Sequence, residues 1–271
     1  MKNQNILITG GSSGLGLSLA KSLAPGNRLL LIARDLQKLE QAKIDIQATA
    51  PGAEVEVEVR SIDIMQPEAE QQLIQVIDRF GGVDLLINSA GILREGYFED
   101  LGLEDFRSTM DINFFGTLSS IRAALPSLKA RQGRVLNVAS IAGLTGVFGY
   151  AAYCSSKHAL IGLTEALSFE LKPMGVGIQV ACPPEFDSPM VDALDQTRTP
   201  ENRAHVLMIP KMSLEDITAG ILRGMQSSEL IIIPGAQSKL MAFGLRHFPT
   251  ISRMMAHAKI KSAKTKNRES A

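Results

Sequence analysis

The chain contains 271 residues, of which 45% are hydrophobic, and its 28 basic and 28 acidic side chains give no net charge. Such a chain can bury one sizeable core, and because it holds no run of about 18 apolar residues, we expect no membrane-spanning helix. Its two cysteines, Cys154 and Cys182, lack the spacing of metal ligands, so we expect no metal site and a reduced, cytoplasmic protein.

Apolar runs alternate with amphipathic stretches, a pattern that predicts strands alternating with helices. The predicted strands are Ile6–Ile8, Leu29–Ala33, Val55–Val59, Leu85–Asn88, Val135–Val138, Ile178–Ala181 and Leu230–Ile233. The clearest predicted helices are Leu36–Ala50, Ala69–Phe80, Leu103–Lys129 and Ala152–Leu171. Short, continuously apolar strands favour an α/β fold, with a Rossmann-type doubly wound parallel sheet of about seven strands in a single domain. Ligands bind beyond the carboxyl ends of such strands.

A glycine-rich turn lies between the first predicted strand and a predicted helix at Leu15–Leu23. Its glycines at positions 10, 14 and 16 allow a tight turn and let a phosphate approach the backbone. The helix that follows presents free N–H groups to an anion. The spacing G-x-x-x-G-x-G differs from the general G-x-G-x-x-G fingerprint. A purely structural turn is the alternative, but the position between strand and helix favours a nucleotide site.

Tyr153 and Lys157 are four residues apart, and Ser140 lies thirteen residues before Tyr153 at the end of an apolar run. A helix brings residues i and i+4 onto one face. An ammonium one turn away would lower the pKa of a phenol, which is normally about 10. The hydroxyl of Ser140 could then hold a carbonyl oxygen while Tyr153 exchanges a proton with it. The alternative is a packed aromatic ring beside a solvated lysine.

These motifs together resemble those of the short-chain dehydrogenase/reductase family over roughly residues 3–235. The matching positions are Thr9, Gly10, Gly14 and Gly16 for the family's T-G-x-x-x-G-x-G, residues Asn88, Ser89, Ala90 and Gly91 for its N-N-A-G, and Asn113, Ser140, Tyr153 and Lys157 for its active-site tetrad. Ser89 replaces the second asparagine of the family motif. The resemblance implies that Lys157 also holds the nicotinamide ribose and that Asn113 positions a water linked to Lys157.

The resemblance also implies a set of nicotinamide-cofactor contacts. They are Thr9, Gly10, Ser12, Ser13, Gly14, Leu15, Gly16, Arg34, Asp63, Ile64, Asn88, Ala90, Gly91, Tyr153, Lys157, Pro183 and Ser188. Arg34 ends the second predicted strand, where an arginine accommodates a 2′-phosphate and an acidic residue would bond a ribose 2′-hydroxyl. We therefore favour NADP(H) over NAD(H). The alternative is a solvated Arg34 beside Asp35, which would cap the next helix in either case.

The segment after the sixth predicted strand departs from the family's P-G-x-V-x-T. It runs Cys182–Met190, with Pro184 in place of the glycine and Ser188 in place of the threonine. This loop is similar to that of 3-ketodihydrosphingosine reductases, a branch of the family, although a generic reductase with an altered loop is the alternative. The stretch Glu185–Pro210, within a substrate loop at 185–212, has no regular pattern and could form a lid. Substrate contacts are expected from Leu93, Leu144, Tyr150 and Phe186.

The C-terminal residues 239–271 carry a formal charge of +7, and residues 1–238 carry −7. We place the nucleotide-binding domain at 1–238 and an amphipathic, basic extension at 239–271. Large apolar residues precede the last cations, a combination that suits the surface of an anionic membrane on its cytoplasmic side. The alternatives are a helix packed on the domain or on a neighbouring subunit of a dimer or tetramer. No motif for nucleic-acid binding accompanies the charge.

The combined prediction is an enzyme that reduces a ketone to a secondary alcohol with NADPH, in which Ser140 bonds the oxygen and Tyr153 donates the proton. The loop and the tail favour a long-chain lipid ketone such as 3-ketodihydrosphingosine. A steroid, a β-ketoacyl thioester, a sugar or a small ketone is the alternative substrate. A non-catalytic NADP-binding protein is a further alternative.

Overall fold

A computed structural model of the chain describes residues 2–49, 55–209 and 211–269, with side chains as far as residue 265. Its strands are β1 (Asn5–Thr9), β2 (Arg28–Ala33), β3 (Glu56–Ser61), β4 (Leu85–Asn88), β5 (Arg134–Val138), β6 (Gly177–Ala181) and β7 (Ile231–Ile232). Its α-helices are α1 (Gly14–Leu23), α2 (Leu36–Ala48), α3 (Ala69–Phe80), α4 (Leu103–Met110), α5 (Thr117–Arg131), α6 (Ala151–Leu171), α7 (Pro189–Asp195), α8 (Pro200–Val206), α9 (Leu214–Gly224), α10 (Ala236–His247) and α11 (Pro249–Glu269).

The seven strands form one parallel sheet in the order β3-β2-β1-β4-β5-β6-β7. All their pairings are parallel, which confirms the predicted fold class. The strand order reverses between β1 and β4, so the chain leaves these two neighbouring strands in opposite directions. A crevice at the carboxyl ends of strands is expected at such a switch point. Thr9 is paired with Asn88 there, directly at the strand ends.

The sheet is covered by helices on both faces, and alternate residues of β1 face opposite layers. Ile6 and Ile8 belong to a core shared with α1, α2 and α9, whereas Leu7 belongs to a core shared with α3 and α5. All three residues are at most 1% exposed. Burying a side chain of this size contributes about 1.5–3 kcal/mol, which explains why the strands are continuously apolar.

The predicted helix Leu103–Lys129 is divided into α4 and α5 by a π-helical segment, Asp111–Gly116. The widened turn contains Asn113, whose side-chain oxygen accepts a hydrogen bond from the Ile92 backbone N–H at 2.9 Å. The contact between Asn113 and Ile92 joins distant parts of the chain and does not change the helical spacing of apolar residues. The sequence therefore predicts one uninterrupted helix. Pi-helical turns of this kind are frequently found at functional sites.

The stretch from Glu185 contains regular structure, contrary to the prediction, because α7 and α8 lie within it. Ser188 caps α7 by accepting from the Val191 N–H at 3.3 Å, and Thr199 caps α8 by accepting from the Asn202 N–H at 3.3 Å. Each cap is followed by a proline at the first helical position, a pairing that is typical of helix starts.

Other predicted boundaries move by one or two residues. The third predicted strand, Val55–Val59, is found at Glu56–Ser61, and the seventh, Leu230–Ile233, is shorter at Ile231–Ile232. The helix predicted at Leu36–Ala50 ends at Ala48. Some ends of the predicted ranges lie outside the described residues. They are Ala50 for the second helix, Pro210 for the stretch after the sixth strand, and residues 1 and 271 for the domain and its extension.

Candidate active site

The glycine-rich turn between β1 and α1 leaves room for a phosphate against the backbone. Gly14 has φ of +53° and faces open space, with no atom within 4 Å of the position that a Cβ would take. Gly10 has φ of +70°, and a Cβ there would lie 2.7 Å from the Ala90 backbone nitrogen. Since α1 begins at Gly14 with no acidic residue in its first turn, its N–H groups fit an anionic group such as a dinucleotide pyrophosphate.

A chain of buried amide and hydroxyl groups supports this turn from beneath. Asn88 donates a hydrogen bond to Asn137 at 2.9 Å, and Asn137 donates to Thr164 at 2.9 Å. The Ala90 backbone N–H donates to Thr9 at 3.5 Å. These bonds tie the ends of β1, β4 and β5 to α6. Thr9 and Asn88 are therefore buried supports of the site, and their side chains lie below its surface.

Ser140, Tyr153 and Lys157 meet at one wall of a cavity of about 710 Å³. Ser140 caps a short turn, and its hydroxyl oxygen accepts from the Ala142 N–H at 3.2 Å. Lys157 donates to the Val138 carbonyl at 2.9 Å, and its nitrogen lies 5.6 Å from the centre of the Tyr153 ring. The Ser140 hydroxyl also hydrogen-bonds the Tyr153 phenol, so the two hydroxyl groups lie side by side at the cavity wall.

Asn113 lies behind this wall with its side-chain amide held by three hydrogen bonds. It donates to the Ile92 carbonyl at 3.0 Å and to the Ser156 hydroxyl at 2.9 Å, and it accepts from the Ile92 N–H at 2.9 Å. A Cβ placed on Gly91 would lie 3.0 Å from the Asn113 side-chain oxygen and 3.6 Å from the Lys157 nitrogen. Asn113 and Lys157 therefore close around Gly91.

Burial dominates the ionisation of the two central groups. It raises the pKa of Tyr153 to about 12, an effect that contact with the Ser140 hydroxyl partly offsets. Burial also lowers the pKa of Lys157 to about 8. The sequence predicts that Lys157 lowers the tyrosine pKa, and this prediction is wrong for the structure, in which burial raises that pKa. The Lys157 nitrogen faces the ring and the Val138 carbonyl, and it is itself easily deprotonated.

Most of the predicted site residues come together at the cavity. Those that line it are Gly10, Ser12, Ser13, Gly14, Leu15, Ala90, Gly91, Leu93, Ser140, Tyr150, Tyr153, Lys157, Pro183, Phe186 and Ser188. Thr9, Gly16, Asn88 and Asn113 support it from behind.

Arg34 and Asp63 lie farther along the same sheet edge, beyond the cavity, where β2 and β3 end. Arg34 is exposed, and its carbonyl accepts from the Ser61 hydroxyl at 2.7 Å. The Asp63 carboxylate accepts from the Met65 N–H at 3.1 Å. Ile64 is buried against Gly116, so its side chain belongs to the core beneath this edge.

Of the residues predicted for substrate contact, one lies elsewhere, and another, Tyr150, lines the cavity but is almost fully buried. Leu144 lies outside the cavity and packs against a small core beside β6. Tyr150 is only 4% exposed, and its ring packs edge-on against Tyr153 with centroids 5.7 Å apart. Burial raises the pKa of the Tyr150 phenol above its usual value, so this second tyrosine stays protonated.

The C-terminal helices form a wall of the cavity that sequence reasoning did not assign to the site. Helix α11 packs on α8, and the cavity wall includes Met241 and Leu245 of α10 and Met255 and Ile260 of α11. The four-residue spacing within α10 is the signal that could have indicated an inward face. In the described part of the chain no helix has the length and apolar character required to cross a bilayer.

The described residues contain no group of three or more His, Cys, Asp and Glu side chains placed to hold a metal ion. Cys154 and Cys182 are both buried. Burial raises the pKa of the Cys154 thiol to about 11 and that of Cys182 to about 12. Both thiols are therefore protonated near neutral pH and poorly suited to nucleophilic chemistry.

Comparisons with known proteins agree with this geometry. Residues 4–199 match the family model described as short chain dehydrogenase. A 3-ketodihydrosphingosine reductase of Bos taurus is 40% identical over 203 residues, covering 73% of this chain and 61% of the relative. The protein of the same name from Dictyostelium discoideum is 30% identical over 259 residues, covering 89% and 78%. The chain thus spans about three-fifths of the length of the bovine relative.

Among solved structures, a short chain dehydrogenase from Burkholderia cenocepacia in complex with NADP superposes with a TM-score of 0.76. It is 25% identical, and the match covers 96% of this chain and 98% of that one. The structural likeness thus includes the C-terminal region beyond residue 199, where the family model ends.

Proposed function

Because the chain belongs to the short-chain dehydrogenase family, we propose that it is an NADP(H)-dependent oxidoreductase that reduces a long-chain lipid ketone to a secondary alcohol. The observation that carries this proposal is the convergence of Ser140, Tyr153 and Lys157 on a cavity whose far wall is largely apolar. A ketone such as 3-ketodihydrosphingosine has a polar head that suits the first wall and an alkyl chain that suits the second. The names of the bovine and Dictyostelium relatives support this choice.

Ser140 and Tyr153 act on the carbonyl oxygen. The Ser140 oxygen accepts from the Ala142 N–H. Its hydroxyl contacts the Tyr153 phenol and would turn its proton to a substrate oxygen as negative charge develops there. Tyr153 is fully protonated near neutral pH because its pKa is raised to about 12, and it can serve as the general acid. A bound nicotinamide cofactor supplies the hydride. A tyrosine that begins protonated suits the reduction of a carbonyl.

Lys157 and Asn113 support the proton donor. With a pKa of about 8, Lys157 is largely protonated at neutral pH and can return a proton to Tyr153 after turnover. Both amide hydrogens of Asn113 are engaged with Ile92 and Ser156, so only its oxygen has capacity left for a water. We therefore assign Asn113 mainly to holding the π-helical turn against the loop that begins at Gly91.

The preference for NADP(H) is carried by Arg34 and Asp35. The Asp35 side chain caps α2 by accepting from the Lys38 N–H at 3.0 Å, so that carboxylate is committed to the helix. The exposed Arg34 guanidinium at the end of β2 suits a 2′-phosphate through its planar set of donors. Pro183, Ser188 and the residues of the glycine-rich turn would hold the remainder of the cofactor, and Asp63 would meet the adenine.

A membrane-surface location and self-association are further parts of the proposal. Helices α10 and α11 expose apolar side chains, among them Leu240 and Met254, and residues 236–265 contain no acidic residue. This combination suits the cytoplasmic face of an anionic membrane. Phe169 of α6 and Phe115 of the π-helical turn are also exposed, and they support a homo-oligomer, which light scattering would measure.

The experiment that tests the proposed function is a screen of NADPH oxidation. Long-chain 3-keto-amines, β-ketoacyl thioesters, steroids, sugars and small ketones would be compared at matched concentrations, with NADH as the parallel cofactor. We expect the long-chain ketone with NADPH to have the highest kcat/KM. A steroid or thioester turned over more efficiently would overturn the lipid assignment, and binding of NADPH without turnover of any ketone would favour the non-catalytic alternative.

A further inference from the structure

A cluster of five charged side chains lies within the segment that covers the cavity. Its members are Glu185, Asp187, Asp195, Arg198 and Lys211, and we call it the lid cluster. Arg198 is at its centre, with a side chain that is 1% exposed. The three carboxylates outnumber the two cations, so the cluster carries a net charge of −1. A further cation beside it would complete the balance.

Glu185 is the member of the lid cluster that reaches the cavity. Among the described residues that line the cavity, it alone has a carboxylate. It follows Pro183 and Pro184 at the position that is variable in the family's P-G-x-V-x-T. Its charge is close enough to raise the pKa values of both Tyr150 and Tyr153. The geometry agrees, because Arg198, the partner of Glu185, contacts the Tyr150 hydroxyl at 3.5 Å, and the Tyr150 ring packs on Tyr153 with centroids 5.7 Å apart.

The Glu185 carboxylate is held rigidly but keeps unused acceptor capacity. Arg198 donates to its two oxygens at 3.1 and 2.7 Å in a bidentate arrangement. The backbone of Glu185 is also fixed, because the Met212 N–H donates to the Glu185 carbonyl at 3.2 Å and Phe186 forms a β-bridge with Met212. Lys211 lies 3.7 Å from one oxygen of the Glu185 carboxylate, beyond hydrogen-bond distance. A carboxylate has about four lone-pair sites, so acceptor capacity remains for a ligand. Preorganisation of this kind lowers the cost of binding.

We propose that Glu185 binds the ammonium group of a 2-amino ketone and that Arg198 holds its carboxylate in position for this contact. The proposal rests on the proposed function and deepens it, because it selects amino ketones from among long-chain ketones. In such a substrate the amine is on the carbon next to the carbonyl. With the carbonyl oxygen at Ser140 and Tyr153, the ammonium falls in their immediate neighbourhood, where the cavity wall contributes this carboxylate.

The first test uses the unaltered full chain. The kcat/KM of a long-chain 2-amino-3-ketone is compared with that of a 3-ketone of the same length that lacks the amine, both in non-ionic detergent micelles so that surface charge does not enrich either one. A charge-assisted bond to a buried carboxylate predicts a preference of about 10–100-fold for the amino ketone. Equal efficiencies would overturn the proposal while leaving ketone reduction intact.

The second test removes the charge. Glu185→Gln should reduce the preference to less than about threefold, mainly through a higher KM for the amino ketone. Asp192→Asn is the matched control, because Asp192 is an exposed carboxylate on α7 of the same lid and does not line the cavity. It should keep the full preference. A Glu185→Gln variant that still prefers the amine would show that another group selects it.

Loss of Glu185 leaves Arg198 buried without its main partner, which could destabilise the fold. The double variant Glu185→Gln with Arg198→Met removes both charges and should also lose the preference. Ligand binding provides a measurement that needs neither a variant nor turnover. A long-chain primary amine should raise the Tm of the unaltered chain more than an alcohol of equal length. Equal shifts would overturn the ammonium site, whether or not any ketone is reduced.

Discussion

Lys157 and Tyr153 are stacked one helical turn apart, with the lysine nitrogen 5.6 Å from the centre of the tyrosine ring and bonded to the Val138 carbonyl. Both groups are buried, and burial moves their pKa values in opposite directions, to about 8 for the lysine and about 12 for the tyrosine. The unperturbed pKa values of lysine and tyrosine side chains, about 10.4 and 10, are nearly equal. The fold therefore makes the amine of Lys157 easier to deprotonate and the phenol of Tyr153 harder to deprotonate.

The first prediction concerns Tyr153→Phe, which removes the proton donor and preserves the ring. Turnover should fall by about 10²–10⁴-fold, as expected for loss of a positioned general acid. The Kd for NADPH, measured by fluorescence titration, should change little. Tyr150→Phe is the matched control, because its hydroxyl contacts Arg198 at 3.5 Å and Asn202, and neither of these is assigned to the proton transfer. Its rate should fall by less than about tenfold. A Tyr153→Phe variant that retains half its rate would contradict the catalytic assignment.

The second prediction is that Lys157→Met makes the chain inactive but more stable at neutral pH. The folded-state pKa of Lys157, about 8, is below its unfolded value of about 10.4. The unfolded chain therefore binds more protons between these values, and stability rises with pH across that window. Below about pH 8 the full cost of burying the ammonium, about 3 kcal/mol, is present.

Calorimetry at several pH values checks this prediction. The Tm of Lys157→Met should exceed that of the unaltered chain by a few degrees at pH 7, and the difference should shrink as the pH approaches 10. Lys38→Met is the control, since the Lys38 side chain is 71% exposed, and its Tm should stay close to that of the unaltered chain at both pH values. A lower Tm for Lys157→Met at pH 7 would mean that the ammonium stabilises the fold.

The parts of the site that could be predicted from sequence depend on local spacing. The three apolar residues of Ile6–Ile8 lead directly into glycines whose spacing already defines the turn at the end of β1. Tyr153 and Lys157 need only the period of one helix to share a face. Most of the strands follow from apolar runs, because a strand of a parallel sheet that is covered on both faces is mostly apolar. The edge strand β3 alternates between apolar and polar residues instead.

The parts that could not be predicted depend on tertiary contacts or on very short elements. The π-helical turn at Asn113 is coupled to Ile92, which is 21 residues away. Helices α7 and α8 have seven residues each, too few for a hydrophobic period, although Ser188 and Thr199 before their prolines signal both starts. The pairing of Glu185 with Arg198 needs the lid to be folded, since no pattern of charges in this stretch specifies it.

The third prediction concerns Arg34→Ala, which removes the guanidinium at the end of β2. Only NADPH has a 2′-phosphate to lose a charge-assisted contact, so its Kd should rise by about 10–100-fold while the Kd for NADH changes by less than about threefold. Arg60→Ala is the control, because Arg60 lies on the neighbouring strand β3 and pairs with Glu58 at 3.0 Å. Equal losses of NADPH and NADH affinity would contradict the assignment of Arg34 to the 2′-phosphate.

The last prediction concerns the outer face of the C-terminal helices. Residues 239–265 contain six basic side chains, Lys239, Arg246, Arg253, Lys259, Lys261 and Lys264. Each cation close to an anionic bilayer contributes about 1 kcal/mol, and salt screens this attraction over a distance of about 10 Å at 0.1 M. We therefore expect the full chain to float with phosphatidylglycerol vesicles at low salt and to be released as the salt concentration rises.

Apolar contact should contribute to the same binding. Leu240 and Met254 are 72% and 67% exposed and lie outside the cavity wall, so Leu240→Ser with Met254→Ser should weaken vesicle binding several-fold without changing the reduction of a short, water-soluble ketone. Ile44→Ser on α2 is the matched control, because Ile44 is 59% exposed on a helix beside β3, at the edge of the sheet opposite β7. The double variant should lose more binding than this control because its two side chains would insert beside the cations. Equal binding by all three proteins would assign α10 and α11 to closing the cavity alone, with no part in membrane attachment.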